Sequence, residues 1–310
     1  DALPISLPLV HWIATEAPRW VLAKAFDAGL ISNIDAQRGY YLAAPEGDDV
    51  LWRARSTIGT AAAAIDKGPV AFPGYFTVDA DYPRTAGPYD TTTGIQIRAV
   101  GLVTLANATP TQISTLGRNL IQIGGELLAF ETVTDEGGGV YTLGNVWPAL
   151  LDTVPALHLV GKVGYVLPGP RARGALGIAA LPHGATINTL TAAAYGSRWT
   201  PADVNPADTL TARSRVLLPY PGAKLLVNGA AAPADLTDDE GVALTWRTRE
   251  RTAATITRGD AASETATGVT YDAVAYKGLG PQEGGDQVVL AANHSSHTAQ
   301  VALGAAGHGV

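Results

Sequence analysis

The sequence predicts a mainly β protein with a smaller α/β part at its N-terminal end, and three features predict it. From Ile95 onward, short runs that alternate apolar and polar residues recur between clusters of Gly, Pro, Asn and Asp, as antiparallel strands and their turns require. Two such runs flank Asp135-Glu136-Gly137-Gly138-Gly139, residues that tolerate positive φ and suit a hairpin turn. Ahead of Ile95, helical periodicity is interleaved with strand candidates, the order of an α/β or α+β segment.

A first helix is expected from Glu16 to about Ala28. Thr15 suits its N-cap, Pro18 is tolerated in the first turn, Val21, Leu22, Ala25 and Phe26 make an apolar stripe, and Gly29 ends it. Tyr40-Tyr41-Leu42 and Val50-Leu51-Trp52 read as strands around the loop Pro45-Glu46-Gly47-Asp48-Asp49, and the alanine run from Thr57 to Ile65 predicts a short second helix. Glu126 to Thr134 places Leu128 and Phe130 on one side of a strand and Glu131 on the other, so Glu126 and Glu131 point in opposite directions. Val140-Tyr141-Thr142-Leu143 then restarts a strand, which makes the three glycines a turn rather than a phosphate cradle, since a cradle leads into a helix.

Pro168 to Arg173 and Trp199 to Asp208 read as connectors. Val242, Leu244 and Trp246 alternate with Ala243, Thr245 and Arg247, which places Trp246 in the core of a β-sandwich. The expected division is an α/β part over 1–94, a β-rich domain over 95–204 and a sandwich over 205–310; Ala299 to Val310 carries no strand-terminating cap, as in a sandwich that is cut short or completed by a neighbouring segment.

Composition limits the function classes. A chain of 310 residues with 46% hydrophobic and 16% charged content has the make-up of a globular protein of two or more domains. No apolar stretch approaches the length of about eighteen residues that a membrane helix needs. A net charge of −7 argues against a nucleic-acid groove, and Arg247, Arg249 and Arg251 at strand spacing read as a solvated face. The absence of cysteine excludes disulfides and thiolate metal sites. The absence of methionine and the start at Asp1-Ala2-Leu3-Pro4, with no secretory signal, suit a fragment, a processed chain or the ordered part of a longer one.

Candidate chemistry is sparse. Among His11, His158, His183, His294, His297 and His308 the only close pair is His294 and His297, two ligands where zinc takes three or four, so the pair reads as a polar loop. Asp79, Asp81 and Asp90 offer oxygen ligands of the kind calcium takes, but without the alternation of an EF-hand loop. Glycoside hydrolysis needs two carboxylates about 5 to 9 Å apart on rigid strand ends, which neither these aspartates nor Glu126 with Glu131 supply. There is no Gly-x-Ser-x-Gly elbow; Gly196-Ser197-Arg198 lacks the second glycine. No catalytic, cofactor or metal site is therefore expected.

The stretch from Leu120 to Leu167 resembles the tail hub and host-specificity proteins of long-tailed phages and the related large tail protein of gene transfer agents. The likeness is carried by Ile123-Gly124-Gly125-Glu126, Phe130-Glu131-Thr132, Gly139-Val140-Tyr141-Thr142-Leu143, Asp152-Thr153, His158, Gly161 and Val163, in matching order. Trp147-Pro148-Ala149 stands where the family has Arg-Gly. A second likeness is carried by Leu218-Pro219-Tyr220-Pro221, Leu225-Leu226-Val227-Asn228-Gly229 and Val242 to Arg251, which are similar to the linker and first strands of the fibronectin-III-like sandwich behind the family's hub. Trp12 to Ile31 occupies the place of a helix in the family's hub, by order rather than by identities.

The resemblance implies a hub-type β-domain followed by a fibronectin-III-like sandwich. It implies a structural part of a virion tail tip or baseplate, a homotrimer assembled with distal tail, tape measure and fibre subunits, with no enzymatic activity. It also implies that His158 is structural, packing or hydrogen-bonding the chain that returns after the hairpin. The other reading is a receptor- or carbohydrate-binding sandwich that stacks sugar on Tyr195, Trp199, Tyr271 or Tyr276. A wall-degrading enzyme is the third reading, and it lacks a site.

Overall fold

A strand with apolar side chains on both faces has to be covered twice, and Leu127-Leu128-Ala129-Phe130 is such a strand. A computed structural model shows how this is done. The structure describes residues 10–16, 18–27, 38–45, 52–58, 63–70, 74–83, 88–100, 105–167, 179–180, 186–194, 200–201, 210–211, 215–217, 220, 223–229, 241–247, 255–260, 271–277, 286–294 and 298–302. Among these the protein is mostly β, as the sequence predicts.

The first part runs β1 (Val10–Glu16), α1 (Arg19–Asp27), β2 (Arg38–Pro45), β3 (Trp52–Ile58) and β4 (Ala63–Val70). Next come β5 (Tyr75–Val78), β6 (Ile95–Val100), α2 (Pro110–Leu116), β7 (Leu120–Ile123), β8 (Glu126–Gly137), β9 (Val140–Trp147) and β10 (Val163–Val166). The remainder holds β11 (Ala179–Ala180), β12 (Thr186–Ala194), β13 (Thr200–Pro201), β14 (Leu210–Thr211), a 3-10 turn at Arg215–Leu217, β15 (Ala223–Val227), β16 (Gly241–Arg247), β17 (Tyr271–Lys277), β18 (Asp286–His294) and β19 (Thr298–Ala302).

Strands β10-β5-β6-β9-β8-β7 form a closed barrel in that order, β7 pairing back onto β10, with every pairing antiparallel. Closure leaves no unpaired edge. It also sorts the alternating side chains into two cores. Phe76, Ile97, Ile121, Ile123, Leu128 and Phe130 fill the inside. Tyr75, Leu120, Leu127, Ala129 and Trp147 face outward, where Trp20 and Leu22 of α1, Ile113 of α2, Val216, Tyr220 and Ile256 cover them. Strand β10 offers Gly164 to the interior because Phe76 already fills that space: a Cβ there would lie 2.4 Å from Phe76 Cζ. The barrel begins at Tyr75, on the N-terminal side of the boundary expected at 94/95.

Four further sheets are formed by β1-β2-β11, by β13-β12-β3-β4 with β14 on β12, by β15-β16-β19 and by β17-β18. Two expectations fail in the first part. No helix spans Thr57 to Ile65: Thr57 and Ile58 end β3, Ala63 to Ile65 open β4, and the two strands pair as Ile58↔Ala63 and Ser56↔Ile65. Alanine's helix preference is a weak prior, and pairing of β3 with both β4 and β12 overrides it. Thr15 is not an N-cap, because β1 continues through it, paired Thr15↔Tyr40. The helix starts at Arg19, where the carbonyl of Pro18 accepts the first bond from Leu22 N at 3.3 Å. Tyr40 to Leu42 lie in β2, as expected; Trp52 opens β3, while Val50 and Leu51 lie outside the described residues.

The hairpin of β8 and β9 is present, tighter than the five-residue turn expected. Strand β8 runs on to Gly137 and the chain reverses at Gly138-Gly139, all three glycines having positive φ. Leu244 and Trp246 are buried, as the alternation of β16 predicts.

Candidate functional site

The chain leaves β9 at Trp147, crosses the end of the barrel and re-enters it at Val163. A crossover of that length needs its backbone groups satisfied, and one side chain supplies most of the fixing. Glu126, at the start of β8, is buried with its Oε1 accepting from Ala149 N at 2.7 Å and its Oε2 from Ala156 N at 2.8 Å. His158 Nε2 lies 2.8 Å from the same Oε2, and the carboxylate selects the tautomer with the proton on Nε2. The side chains of the pair are 3% and 1% exposed. One carboxyl group therefore gathers three donors spread over ten residues of loop.

The backbone of His158 is equally committed. It exchanges two hydrogen bonds with Tyr82, at 2.8 and 3.0 Å, and the two rings lie within 6° of parallel. Thr153 Oγ1 donates to Leu150 O at 2.8 Å and accepts from Leu127 N at 3.2 Å. Asp152 pairs with Arg215, whose Nη2 donates to Oδ1 at 2.6 Å, tying the 3-10 turn to the loop. Burial, with the Asp152 carboxylate nearby, pushes the Tyr220 hydroxyl above its usual range.

Asp90 closes the other side. It bridges Val146 through its backbone, and its carboxylate accepts from the N–H groups of Thr92, Thr93 and Gly94 at 2.8 to 2.9 Å. Burial opposes ionisation of this group, but those N–H groups outweigh it and hold the carboxyl below its ordinary value. Burial and the neighbouring carboxylates of Asp90 and Glu126 push the Tyr82 hydroxyl far above its usual range, so it stays neutral.

The result is a braced loop that displays apolar side chains. Val154, Leu157, Leu159 and Val160 are 44%, 48%, 54% and 62% exposed, while His158 between them is buried. Val160 N is fixed to Asp81 Oδ1 at 2.7 Å and Gly161 N to Val78 O at 2.7 Å.

The residues that sequence reading singled out are dispersed. Asp79 binds Arg98, Asp81 holds Val160, and Asp90 caps its own turn, so the three aspartates share no common centre. Among the described residues no group of three or more His, Asp or Glu could hold a metal ion. Glu131 faces away from Glu126 and accepts the Trp147 indole N–H at 2.7 Å. His294 ends β18, and Tyr271 and Tyr276 lie in β17, whereas His183, Tyr195, Gly196 to Trp199, His297 and His308 lie outside the described residues.

Glu126 and His158 have the carboxylate–imidazole order of a hydrolytic dyad, but both are sealed, and among the described residues no hydroxyl hydrogen-bonds to the ring. The Glu126 oxygens are already taken up by the loop. Sequence reading missed Tyr82 and read Asp90 only as an oxygen donor, although Asp90-Thr91-Thr92-Thr93-Gly94 carries the signal of an Asp that caps the turn following it. Compared with known proteins, the chain matches no family model and no curated protein.

Proposed function

We propose that the chain is a structural component of the tail tip or baseplate hub of a tailed phage or phage-like particle, located in the virion and without catalytic activity. The observation that carries this reading is the loop from Val154 to Val160. Exposed apolar side chains on a rigid backbone form a surface that loses water on contact with a neighbour and pays little ordering entropy in doing so. An enzyme would aim its buried carboxylate and imidazole at a cleft; this barrel uses them to hold an outward-facing loop.

The sequence likeness supplies the setting: a homotrimer around the tail axis, joined to tube and fibre subunits. Rotational closure lets one apolar contact repeat without open-ended growth. The α/β part over 1–94 and a fibronectin-III-like sandwich over 205–310 belong to the same reading, and the two antiparallel sheets β15-β16-β19 and β17-β18 are consistent with the latter. The test is sedimentation of the purified chain with tail tubes extracted from particles. The chain is expected in the pellet, and the Leu157→Asp/Leu159→Asp variant in the supernatant. A wild-type chain that stays in the supernatant at every concentration contradicts the proposal.

A further inference from the structure

The segment from Thr255 to Asp260 belongs to neither strand nor helix, yet it is seated on the barrel at three points far from it in sequence. The first is a reciprocal pair with Ser114: Ile256 N donates to Ser114 O at 2.9 Å, and Ser114 Oγ donates to Ile256 O at 2.7 Å. The physical reason lies in α2. The last carbonyls of a helix lack partners within it; Gly117 and Arg118 satisfy those of Gln112 and Ile113, and Ile256 satisfies the one at Ser114.

The second point is the Ile256 side chain, 1% exposed, within the outer core beside Ile113. The third is the Arg258 guanidinium, two residues on. Its central carbon lies 3.8 Å above the Tyr89 ring and 5.6 Å from that of Trp147, and Nη1 lies 3.8 Å from Glu131 Oε1. Glu131 is itself oriented by the Trp147 indole, and Asp260 holds the guanidinium from the segment's own side. Two aromatic faces with a carboxylate between them make a slot for a flat cation.

We propose that this flank of the barrel is a peptide-binding slot for the sequence aliphatic-x-arginine, and that Thr255–Asp260 is the ligand filling it in cis. The slot reads an aliphatic side chain, one backbone N–H with its carbonyl, and a guanidinium, which is the recognition set of a short linear peptide rather than of core packing alone. The inference stands apart from the tail assignment.

The test uses the full chain with Ile256→Ala/Arg258→Ala and a fluorescent peptide copying residues 251–262. The peptide should bind this variant saturably and about tenfold or more tighter than it binds wild type, whose slot is filled. A peptide carrying Arg258→Glu should bind about tenfold or more weaker, because a second carboxylate would face Glu131. A folded variant that ignores the peptide, or binds both peptides alike, overturns the proposal. Should the double variant fail to fold, Arg258→Ala alone leaves Ile256 seated. Amide exchange over 255–260 should then rise about threefold to tenfold with β7, β8 and β9 unchanged, and unaltered exchange there overturns the proposal equally.

Discussion

Replacing one oxygen of Glu126 by an amide nitrogen tests the brace at its smallest scale. Glu126→Gln keeps the shape but turns an NH2 toward a backbone N–H that now meets an acceptor, leaving a buried donor without a partner. A loss of about 2 to 4 kcal/mol is expected by urea unfolding, because the hydrogen bonds to a buried carboxyl group are lost and the donor left without an acceptor stays out of water. Glu136→Gln, at an exposed position in the same strand, should leave the midpoint where it is. Equal effects at the two positions contradict the brace. Asp90 gives a pH signature. Its folded carboxyl lies below the ordinary value of 3.8, so its contribution is complete above that value and is lost as pH falls through the folded one. The stability gap between wild type and Asp90→Asn should therefore be constant near neutrality and narrow below about pH 4. A gap of constant size down to acid unfolding removes Asp90 from that role. Glu126, His158 and Gly161 were legible in the sequence as a spaced pattern, and the structural reading of His158 agrees with what its ring and backbone do. The pairing of His158 with Tyr82 was not legible, because alternation reports which face a residue occupies and never which distant loop meets it.

At the scale of elements, helices dock through the turns that end them. Gly117 caps α2 with φ +64, and a Cβ there would lie 2.7 Å from Trp20 Cη2 of α1. Gly117→Ala combines left-handed strain with a clash against a buried ring, and a loss of about 2 to 3 kcal/mol is expected. Gly138→Ala in the hairpin has φ +63 and nothing within 4 Å, so it should cost only the backbone part, about 1 kcal/mol. Thermal unfolding of the two variants separates strain from contact; equal losses would mean that α1 does not rest on the cap. The β8–β9 hairpin was readable because glycines and alternation act locally. The Thr57 to Ile65 segment misled because it folds back on itself as the end of β3 and the start of β4, and the strand that flanks β3 on its other side, β12, begins more than a hundred residues later, where short-range preference carries no trace of it. Trp147 has a local use: its indole orients Glu131 beneath Arg258.

At the scale of the molecule, a closed barrel with two filled cores has little reason to expose four large apolar side chains on one fixed loop unless another surface covers them. Mainly β character and the strands of the Leu120 to Leu167 stretch were legible as pattern; closure was not, since it depends on β10 meeting both β5 and β7. The loop's exposure was also hidden, because Val154 to Val160 reads as an apolar run that a sequence alone would bury. The most direct measurement is the solution mass, by light scattering across a concentration series, of wild type and of Leu157→Asp/Leu159→Asp at matched thermal stability. Wild type is expected near three times the 31.9 kDa chain mass, and the variant near that mass itself. A wild type that stays at one chain mass throughout, or a variant that assembles as wild type does, contradicts the account.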